Sequence, residues 1–470
     1  MQIAILGAGT GGYVAAIRAA QSGAAVTLVE QGPIGGTCLN WGCIPSKIFK
    51  QSADTLAAIR TAGEFAVTAD PAARCDMAAL VARKERIIAI QAGGIRNLLQ
   101  KHGVRVVAGS GRISAMHRLS VTATTGEGRK IAWDRLIVAT GSRPAPIAAF
   151  PFDSHRILSS DDIFSLQSIP ESLAIVGGGV IGCELACIFA GLGSRVTLIE
   201  AMDRILPLPS VDEECSKLLL REMKKRKIRV LTGATVLAAK LSGERLELRV
   251  GAAGAGSSAR PQQEFCDKLL VCIGRKPNSA GIGLERIGVD CDARGWIVAD
   301  SQLRTSNPAV YAIGDILGPA RIMLAHVAAT EGEIAAANCL GDSREMAYDH
   351  VPGAIFTMPE IATVGLTETE AAARGYQFRA DTVHFRTLGK AHVIGEIAGF
   401  AKIVADQRSG RILGVQIAGP HATDLIAEAV LALRSGTTVA QLAETIHAHP
   451  TLAEIMVETV FKAVDRPLHG

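Results

Sequence analysis

The sequence contains few cysteines, few aromatic residues and no long uninterrupted apolar run. Ten cysteines in 470 residues are too few for a secreted fold held together by disulfides. Charge, glycine or proline interrupts every apolar stretch before it reaches about 18 residues, so we expect no membrane span. The apolar N-terminus carries no positive segment and is broken by glycines from Gly7 onward, which is unlike a signal peptide. We therefore expect a protein of the reducing cytoplasm.

Neither sign of charge dominates, because 49 basic residues accompany 45 acidic ones and the net charge is +4. The densest basic cluster, residues 224–227, ends a helix-like stretch, where a solvated helix face is the common explanation. We expect neither nucleic acid nor a membrane as a partner. The length predicts roughly two to four domains. Aromatic residues make up only 4% whereas 49 residues are glycine, which favours close-packed α/β layers.

A pattern of strand, glycine-rich turn, helix and second strand occurs twice, over residues 2–30 and 173–200. In each copy the first glycine precedes a glutamate, Glu30 or Glu200, by 23 residues, and the copies lie 170 residues apart. One such turn is weak evidence, but two with the same closing strand and acid indicate two dinucleotide-binding domains. The glycines are Gly7, Gly9 and Gly12 in the first copy and Gly177, Gly179 and Gly182 in the second.

A second pair of similar stretches, residues 134–144 and 267–277, supports the repeat. Each is an apolar strand that ends at a glycine turn and an exit marked by proline. Residues 251–258, rich in glycine, alanine and serine, are expected to be a hairpin tip.

The pattern changes beyond about residue 345. Strand-like runs at 399–404 and 412–417 precede helical patterns at 424–433 and 453–464. This predicts a third, α+β domain that carries no nucleotide motif.

The glycine turns have a physical reason. Their first glycine allows the tight turn, the second lets a pyrophosphate approach the helix N–H groups, and the third lets helix and strand pack closely. The closing glutamate can accept hydrogen bonds from a ribose diol. A carboxylate at Glu200 repels a 2′-phosphate, so NAD is favoured over NADP, although Arg195 and Arg204 lie nearby in sequence and weaken that preference. The alternative is an ordinary pair of glycine turns in an α/β sheet.

Two cysteines five residues apart, Cys38 and Cys43, follow the first repeat. The chain has no matching pair at metal-ligand spacing, and we expect no metal site. On a distorted helical turn the two sulfurs could come within bonding distance, and Gly42 would ease the local geometry. Because so small a loop adds little stability, a disulfide here suits reversible exchange. Its nearness to the first dinucleotide motif suggests a disulfide that lies against a flavin. The other eight cysteines, including Cys183 and Cys187, are expected to be buried packing thiols.

Thiol exchange needs a base, and a histidine motif near the C-terminus can provide one. His449 is followed by Pro450 and, after five residues in all, by Glu454, which is expected in the first turn of a helix. A carboxylate beside the imidazole would orient it and stabilise the imidazolium. A histidine before such a helix is by itself more often a cap than a base. The redox cysteine pair favours the catalytic interpretation.

With these motifs in place, the chain resembles the pyridine nucleotide–disulfide oxidoreductases over its whole length. The motifs follow that family's order: GAGTGG, GGTCLNWGCIPSK, ATGSRP, GGGVIGCE, CIGRKPN, YAIGD and HAHPTLAE. The second and the last are similar to those of the dihydrolipoamide dehydrogenase branch. The resemblance implies an α/β fold with two Rossmann-like domains for FAD and NAD and an α+β interface domain that forms a homodimer. Its implied domains are FAD-binding 1–148, NAD-binding 149–273, a central FAD-binding continuation 274–344 and interface 345–470.

The resemblance also implies roles for single residues. Cys38 would be the interchange thiol that attacks the substrate, and Cys43 the charge-transfer thiol that faces the flavin. His449, with Glu454, would be the base contributed across the dimer interface. The implied FAD contacts are Gly7, Gly9, Gly12, Glu30, Lys47 (near flavin N5 and paired with Glu184), Gly111, Thr140, Gly141, Ser142, Asp315 and Ala325, and the implied NAD contacts are Gly177, Gly179, Gly182, Glu200 and Gly274.

The function implied by this resemblance is oxidation of protein-bound dihydrolipoamide to lipoamide with reduction of NAD⁺ to NADH. The partner would be a lipoyl-bearing subunit of a 2-oxo acid dehydrogenase or glycine cleavage complex. Two alternatives stay open: a family member that reduces mercuric ion, glutathione or another disulfide, and a flavoprotein that senses redox state without turnover. The complete set of implied catalytic residues argues against the sensor.

Overall fold

The structure is a computed structural model, and it describes residues 1–123, 126–254 and 261–469. Its strands are β1 (Gln2–Leu6), β2 (Ala25–Glu30), β3 (Arg105–Ala108), β4 (Ser110–Ala115), β5 (Arg118–Thr122), β6 (Gly128–Ala132), β7 (Arg135–Val138), β8 (Ser142–Pro144), β9 (Ile157–Ser159), β10 (Ser172–Val176), β11 (Arg195–Ile199), β12 (Arg229–Leu231), β13 (Ala234–Ser242), β14 (Arg245–Ala252), β15 (Gln262–Cys266), β16 (Lys268–Val271), β17 (Arg275–Pro277), β18 (Val310–Ala312), β19 (Gly353–Ile355), β20 (Glu360–Gly365), β21 (Phe378–His384), β22 (Phe400–Asp406) and β23 (Ile412–Gly419).

The helices lie between these strands. They are α1 (Thr10–Gln21), α2 (Gly36–Asn40), α3 (Cys43–Thr61), α4 (Met77–Lys101), α5 (Val180–Leu192), α6 (Glu213–Lys225), α7 (Ala325–Cys339), α8 (Glu368–Ala373), α9 (Gly389–Val393), α10 (Ala422–Ser435), α11 (Val439–Ala443) and α12 (Glu454–Ala463). Short 3₁₀ segments occur at Ala62–Phe65, Ile163–Ser165, Leu284–Ile287, Gly314–Ala320 and Phe385–Thr387.

The predicted repeat is confirmed as two parallel five-stranded sheets that share the order of four strands, while the fifth, edge strand comes last in the chain in the first sheet (β18) and first in the second (β9). The first has the order β18-β7-β1-β2-β3 and the second β9-β16-β10-β11-β12. Their central strands, QIAIL and SLAIV, are buried on nearly every residue, as expected for strands covered on both faces. In each unit a three-stranded antiparallel sheet is inserted before the later strand that pairs with the central one: β4-β5-β6 before β7 in the first unit and β13-β14-β15 before β16 in the second.

The second pair of similar stretches forms equivalent strands, β7 and β16, and their exits meet. The exit strands β8 and β17 pair antiparallel, with Ser142 opposite Pro277 and Pro144 opposite Arg275. This pairing joins the two nucleotide-binding units at the carboxyl ends of their sheets, where ligands bind in such folds. Part of the predicted hairpin tip between β14 and β15, residues 255–258, lies outside the described ranges.

Helix α1 packs closely on α7 because both carry small residues at the contact. A Cβ on Gly332 would lie 2.5 Å from the oxygen of Gly11, so the two backbones can approach only with glycine there. This packing brings the N-terminus of α7 beside the first glycine turn.

The C-terminal part is an α+β unit, as the sequence predicts. Its sheet has the order β19-β20-β23-β22-β21, and all pairings are antiparallel. Helices α10 and α12 cover the sheet and bury Ile426, Ile455 and Val460 in a separate apolar cluster. Within the described ranges, no helix is both long and apolar enough to cross a lipid bilayer.

Candidate active site

The two glycine-rich turns have the same backbone geometry. Gly7 (φ +99°) and Gly177 (φ +105°) begin them in a conformation that favours glycine. A Cβ on Gly7 would lie 2.3 Å from the Ala139 oxygen, and one on Gly177 would lie 2.4 Å from the Cys272 oxygen. Any larger residue would therefore clash with the neighbouring strand exit.

In each turn the third glycine is required by close packing, whereas the second glycine faces open space. A Cβ on Gly12 or Gly182 would lie 1.9 or 1.8 Å from the oxygen of the first glycine of its own turn. No atom lies within 4 Å of a Cβ on Gly179, and the nearest to one on Gly9 is 3.9 Å away. Gly9 and Gly179 are the N-cap residues of α1 and α5, and neither supplies a side-chain cap to the first backbone N–H groups of its helix. A pyrophosphate fits such a cradle.

Glu30 and Glu200 occupy equivalent positions behind these turns. Each carboxylate accepts a hydrogen bond from the backbone N–H of the second residue of its glycine turn, at 2.5 Å in both copies. Each also accepts one from the backbone N–H two residues after the glutamate itself, at 2.7 Å in both copies. A carboxylate can accept about four hydrogen bonds, so capacity for a ribose diol remains. The donors are Ala8 and Gly32 in the first copy and Gly178 and Met202 in the second.

Among the described residues, neither of the two arginines near Glu200 in sequence forms an ion pair with its carboxylate. Arg195 is the first residue of β11, whereas Glu200 follows its last residue. Arg204 donates to Ser216 Oγ at 2.7 Å and to the Val211 carbonyl at 3.3 Å. The expectation that these arginines weaken the preference for NAD is therefore not supported by their positions.

A polar cluster lies where the two strand exits meet. Ser142 Oγ donates to Asp315 Oδ2 at 2.7 Å, and Arg275 Nε donates to the same Ser142 Oγ at 2.6 Å. Arg275 Nε also lies 3.6 Å from Asp315. The hydroxyl of Thr140 is buried and has no hydrogen-bond partner among the described residues. A buried hydroxyl without a protein partner fits a bound polar ligand, so the residues present suit a flavin nucleotide.

The remaining predicted cofactor contacts lie on turns, at a helix start and in a strand. Gly141 (φ +67°) and Gly274 (φ +127°) face open space, and Ala325 begins α7. Gly111 lies in β4, where a Cβ would be 2.5 Å from the Leu6 side chain. Packing against the first sheet therefore accounts for glycine at position 111 without a ligand.

Cys38 and Cys43 lie on two consecutive helices, not on the single distorted turn that the sequence suggested. Helix α2 carries Cys38 and ends at Asn40, and α3 begins at Cys43. The backbone breaks at Gly42 (φ −125°, ψ −106°), where a Cβ would lie 3.1 Å from the Thr37 oxygen. The break turns the two side chains towards each other, and the pair is in the dithiol form with its sulfurs in hydrogen-bonding contact.

The contact between the two thiols shifts their pKa values in opposite directions. A hydrogen bond from the Cys43 thiol lowers the pKa of Cys38 to about 7, and the Thr10 hydroxyl and the Lys47 charge contribute in the same direction against burial. The same hydrogen bond to the Cys38 sulfur, together with burial, raises the pKa of Cys43. As the pH rises, Cys38 therefore loses its proton before Cys43 does.

Lys47, one turn into α3, pairs with a carboxylate from the second unit. Its Nζ lies 2.9 Å from Glu184 Oε2, and the other carboxylate oxygen accepts the Phe356 N–H at 2.9 Å. The Phe356 ring lies 3.9 Å from the same Nζ. One nearly buried carboxylate thus orients the cation beside the thiol pair.

His449 and Glu454 form a hydrogen-bonded pair at the start of α12. The His449 Nδ1 lies 2.8 Å from Glu454 Oε1, and the Thr451 N–H donates to the other oxygen at 2.9 Å. Burial opposes ionisation of Glu454, but these two hydrogen bonds outweigh it and lower its pKa. The His449 side chain is 77% exposed, so its Nε2 is accessible. Among the described residues, no hydrogen bond or ion pair joins this pair to Cys38 or Cys43.

The prediction for the other cysteines is correct in part. Five of them are fully buried, Cys75 and Cys272 are partly exposed, and Cys291 is exposed. Cys291 lies in a loop after the second unit, so the prediction of a packing thiol is wrong there. The buried five are Cys183, Cys187, Cys215, Cys266 and Cys339.

Three residues without a predicted role contact the site. Arg275 follows Gly274 in the second strand exit, and Thr10 lies inside the first glycine turn, so their motifs could have indicated them. Phe356 approaches Lys47 from the C-terminal unit, and the sequence contains no local signal for that contact.

Comparison with known families supports one assignment for both parts of the chain. Residues 1–332 match the model of the pyridine nucleotide-disulphide oxidoreductases, and residues 351–460 match the dimerisation domain of the same family. A protein of Chlamydia muridarum named dihydrolipoyl dehydrogenase is 42% identical over 467 residues, which are 99% of this chain and 97% of that protein. One of Bacillus subtilis with the same name is 39% identical over 476 residues, covering 99% and 98%.

Solved structures agree with this result. LpdA from Mycobacterium tuberculosis superposes with a TM-score of 0.90 at 29% identity and covers 98% of this chain and 99% of its own. The HOCl-induced flavoprotein disulfide reductase RclA from Escherichia coli has a TM-score of 0.84 at 24% identity over 98% and 99%, which shows a shared fold.

Proposed function

Because the chain belongs to the pyridine nucleotide-disulphide oxidoreductase family, we propose that it oxidises protein-bound dihydrolipoamide to lipoamide and reduces NAD⁺ to NADH with FAD as its cofactor. The observation that carries this proposal is the Cys38–Cys43 pair beside the Lys47 cation, whose charge contributes to a lowered pKa of Cys38. FAD, when bound, supplies the hydride transfer that connects this dithiol to the nicotinamide.

The substrate half of the reaction is a dithiol–disulfide exchange. His449 takes a proton from one substrate thiol, and the resulting thiolate attacks Cys38 in the oxidised pair. The Cys38–Cys43 bond breaks and its electron pair goes to Cys43. The second substrate thiol, on losing its proton, attacks the mixed disulfide, closes lipoamide and releases Cys38. Two electrons and two protons leave the substrate, and the enzyme is left in its dithiol form.

The residues around the pair have complementary parts in that sequence. Glu454 orients His449 and stabilises the imidazolium that forms. Lys47 stabilises negative charge on the thiol pair, and Glu184 fixes the Lys47 side chain. Glu200 gives NAD its preference over NADP, because a carboxylate repels a 2′-phosphate.

The dimerisation domain indicates a homodimer, and we further propose that each site uses His449 of the partner copy. Support comes from the exposure of the histidine in one chain and from Ile446 beside it, which is 97% exposed and would be covered in a dimer. The proposed domain limits remain 1–148, 149–273, 274–344 and 345–470. The proposed partner is the lipoyl-bearing subunit of a 2-oxo acid dehydrogenase or glycine cleavage complex.

The test is NADH formation by the purified yellow protein from NAD⁺ and dihydrolipoamide. NADP⁺ replaces NAD⁺ in a parallel assay, and glutathione and mercuric ion are offered with NADH as alternative substrates. We expect rapid NADH formation that is lost in Cys43→Ser, while the flavin stays bound. A flavin-loaded protein that is inactive with lipoamide but reduces glutathione or mercuric ion would overturn the substrate assignment.

A further inference from the structure

Glu331 is a buried carboxylate that no step of the proposed reaction uses. It lies on α7 and is 1% exposed. Its Oε2 accepts the Gly314 N–H at 2.6 Å, and its Oε1 accepts the hydroxyl of Tyr348 at 2.6 Å. Burial raises the pKa of Glu331, and these two donors offset part of the rise. The carboxylate therefore depends on both partners for its place in the core.

Glu331 and Tyr348 together contact both ends of the 3₁₀ segment Gly314–Ala320. Gly314 is its first residue and has a φ of +74°. Arg321 follows its last residue, and the guanidinium lies 5.1 Å from the centre of the Tyr348 ring. Arg321 also donates to the Ala299 carbonyl at 3.1 Å. Tyr348 thus reaches the start of the segment through Glu331 and its end through Arg321.

The 3₁₀ segment carries Asp315, which lies in the polar cluster of the strand exits. Asp315 accepts the hydroxyl of Ser142, and Gly314 directly precedes it. The hydrogen bond from the Gly314 N–H to Glu331 fixes the backbone at Gly314, the residue from which Asp315 follows. Tyr348 lies between the two family-model matches, 1–332 and 351–460, so it also ties the chain entering the C-terminal unit to this turn.

We propose that Glu331 and Tyr348 are positioning residues for FAD, which hold the Gly314–Asp315 turn in the conformation that binds the flavin. The inference rests on the flavin site proposed above. Neither residue needs to contact the cofactor. Tyr348 holds the Glu331 carboxylate, and that carboxylate holds the backbone N–H of Gly314. Tyr348 also makes flavin binding sensitive to the docking of the C-terminal unit.

The experiment measures flavin release from the holoprotein. Glu331→Gln and Tyr348→Phe are compared with Tyr311→Phe, a matched control from the same apolar cluster. The Tyr311 hydroxyl donates to the Asn338 carbonyl at 3.1 Å, away from the 3₁₀ segment. Each protein is diluted, and the appearance of fluorescent free FAD gives the release rate and the dissociation constant. Thermal unfolding midpoints are recorded for the same samples.

We expect Tyr348→Phe to weaken FAD binding by about threefold to tenfold relative to Tyr311→Phe, and Glu331→Gln by about tenfold or more. Equal FAD release from Tyr348→Phe and Tyr311→Phe, at similar losses in thermal midpoint, would overturn the inference. Tyr348→Phe decides the matter even where Glu331→Gln does not fold. A wild-type protein that carries no flavin would overturn the proposed function as well, whereas equal release overturns this inference alone.

Discussion

The ammonium of Lys47 lies 2.9 Å from the carboxylate of Glu184. This ion pair links α3, which begins at Cys43, to α5, which follows the second glycine turn. Glu184 is nearly buried, and it also accepts a backbone N–H from Phe356 of the C-terminal unit. Three units therefore meet at one carboxylate. The contact gives the cation beside the thiols a fixed position, which a flexible lysine would otherwise lack.

Glu184→Gln should show how much this contact contributes. The change leaves Lys47 without a counter-charge, and because the lysine is partly exposed we expect the free energy of unfolding to fall by about 1–3 kcal/mol. Lipoamide turnover should fall by about tenfold as the cation loses its orientation. Denaturant unfolding and steady-state rates measure the two effects.

The matched control is Glu333→Gln, which removes the exposed pair with Arg18. An exposed pair contributes about 0–1 kcal/mol, so this variant should keep nearly full stability and turnover. Similar losses in both variants would contradict the special position of Glu184.

The reduced thiol pair should show a pH dependence that belongs to Cys38. Because its pKa is lowered to about 7, the thiolate forms above that pH, and the rate of alkylation should fall as pH drops below it. The main cause is the hydrogen bond from Cys43. In Cys43→Ala the midpoint should therefore rise towards that of an ordinary thiol, about 8.5.

Mass spectrometry of the alkylated peptides gives the rates at each pH. Cys43→Ser retains a hydroxyl donor and serves as the matched control, with a midpoint expected between the other two proteins. The same midpoint in Cys43→Ala as in the unaltered pair would show that another contact lowers the pKa of Cys38.

The repeat could be predicted because its determinants are local. Gly7 and Gly177 must adopt positive φ and approach a strand exit within van der Waals distance, and such positions are visible in sequence as glycines. The closing glutamates Glu30 and Glu200 lie at a fixed distance along the same unit. The order of strands in both sheets then follows from the usual connection of parallel strands.

The remaining features depend on contacts between distant parts of the chain. The sequence places Arg204 near Glu200, but in the structure its guanidinium donates to Ser216 of α6 and to the Leu208 carbonyl. The break between α2 and α3 depends on the close approach of Gly42 to Thr37 rather than on helix propensity. Glu331 belongs to a helical run of small residues, and its partners become apparent only when α7 packs beside the 3₁₀ segment.

Glu200→Ala should reduce the discrimination between NAD⁺ and NADP⁺. The variant loses the acceptor for the ribose diol and the charge that repels a 2′-phosphate, so the ratio of kcat/KM values should fall by about 10-fold to 100-fold. Arg204→Ala should leave the ratio unchanged, because the side chain is bound to its own loop. Initial rates with both nucleotides at several concentrations give the ratio.

Glu30→Ala is the matched control from the first repeat. It should weaken FAD retention and leave the nucleotide ratio of the flavin-loaded fraction unchanged. A ratio that changes in Glu30→Ala but not in Glu200→Ala would reverse the assignment of the two units.

Hybrid dimers test whether His449 serves the partner's thiols. His449→Gln and Cys43→Ser homodimers should each lose turnover, the former by about 10²-fold to 10⁴-fold because proton transfer is removed. In a heterodimer of the two, purified through different tags, the intact thiol pair of one chain meets the intact histidine of the other. If the base acts across the interface, this heterodimer regains one complete site and about half of the wild-type turnover.

The inverse hybrid gives the opposite result and makes the test decisive. A wild-type chain paired with a chain carrying both changes has its intact histidine and intact thiols on the same subunit. Action across the interface then leaves no complete site, and the heterodimer should be inactive. If His449 instead serves the thiols of its own chain, this heterodimer should have about half of the wild-type turnover and the first heterodimer should be inactive. The exposed His449 side chain, which no described contact joins to Cys38 or Cys43 in its own chain, favours the first outcome.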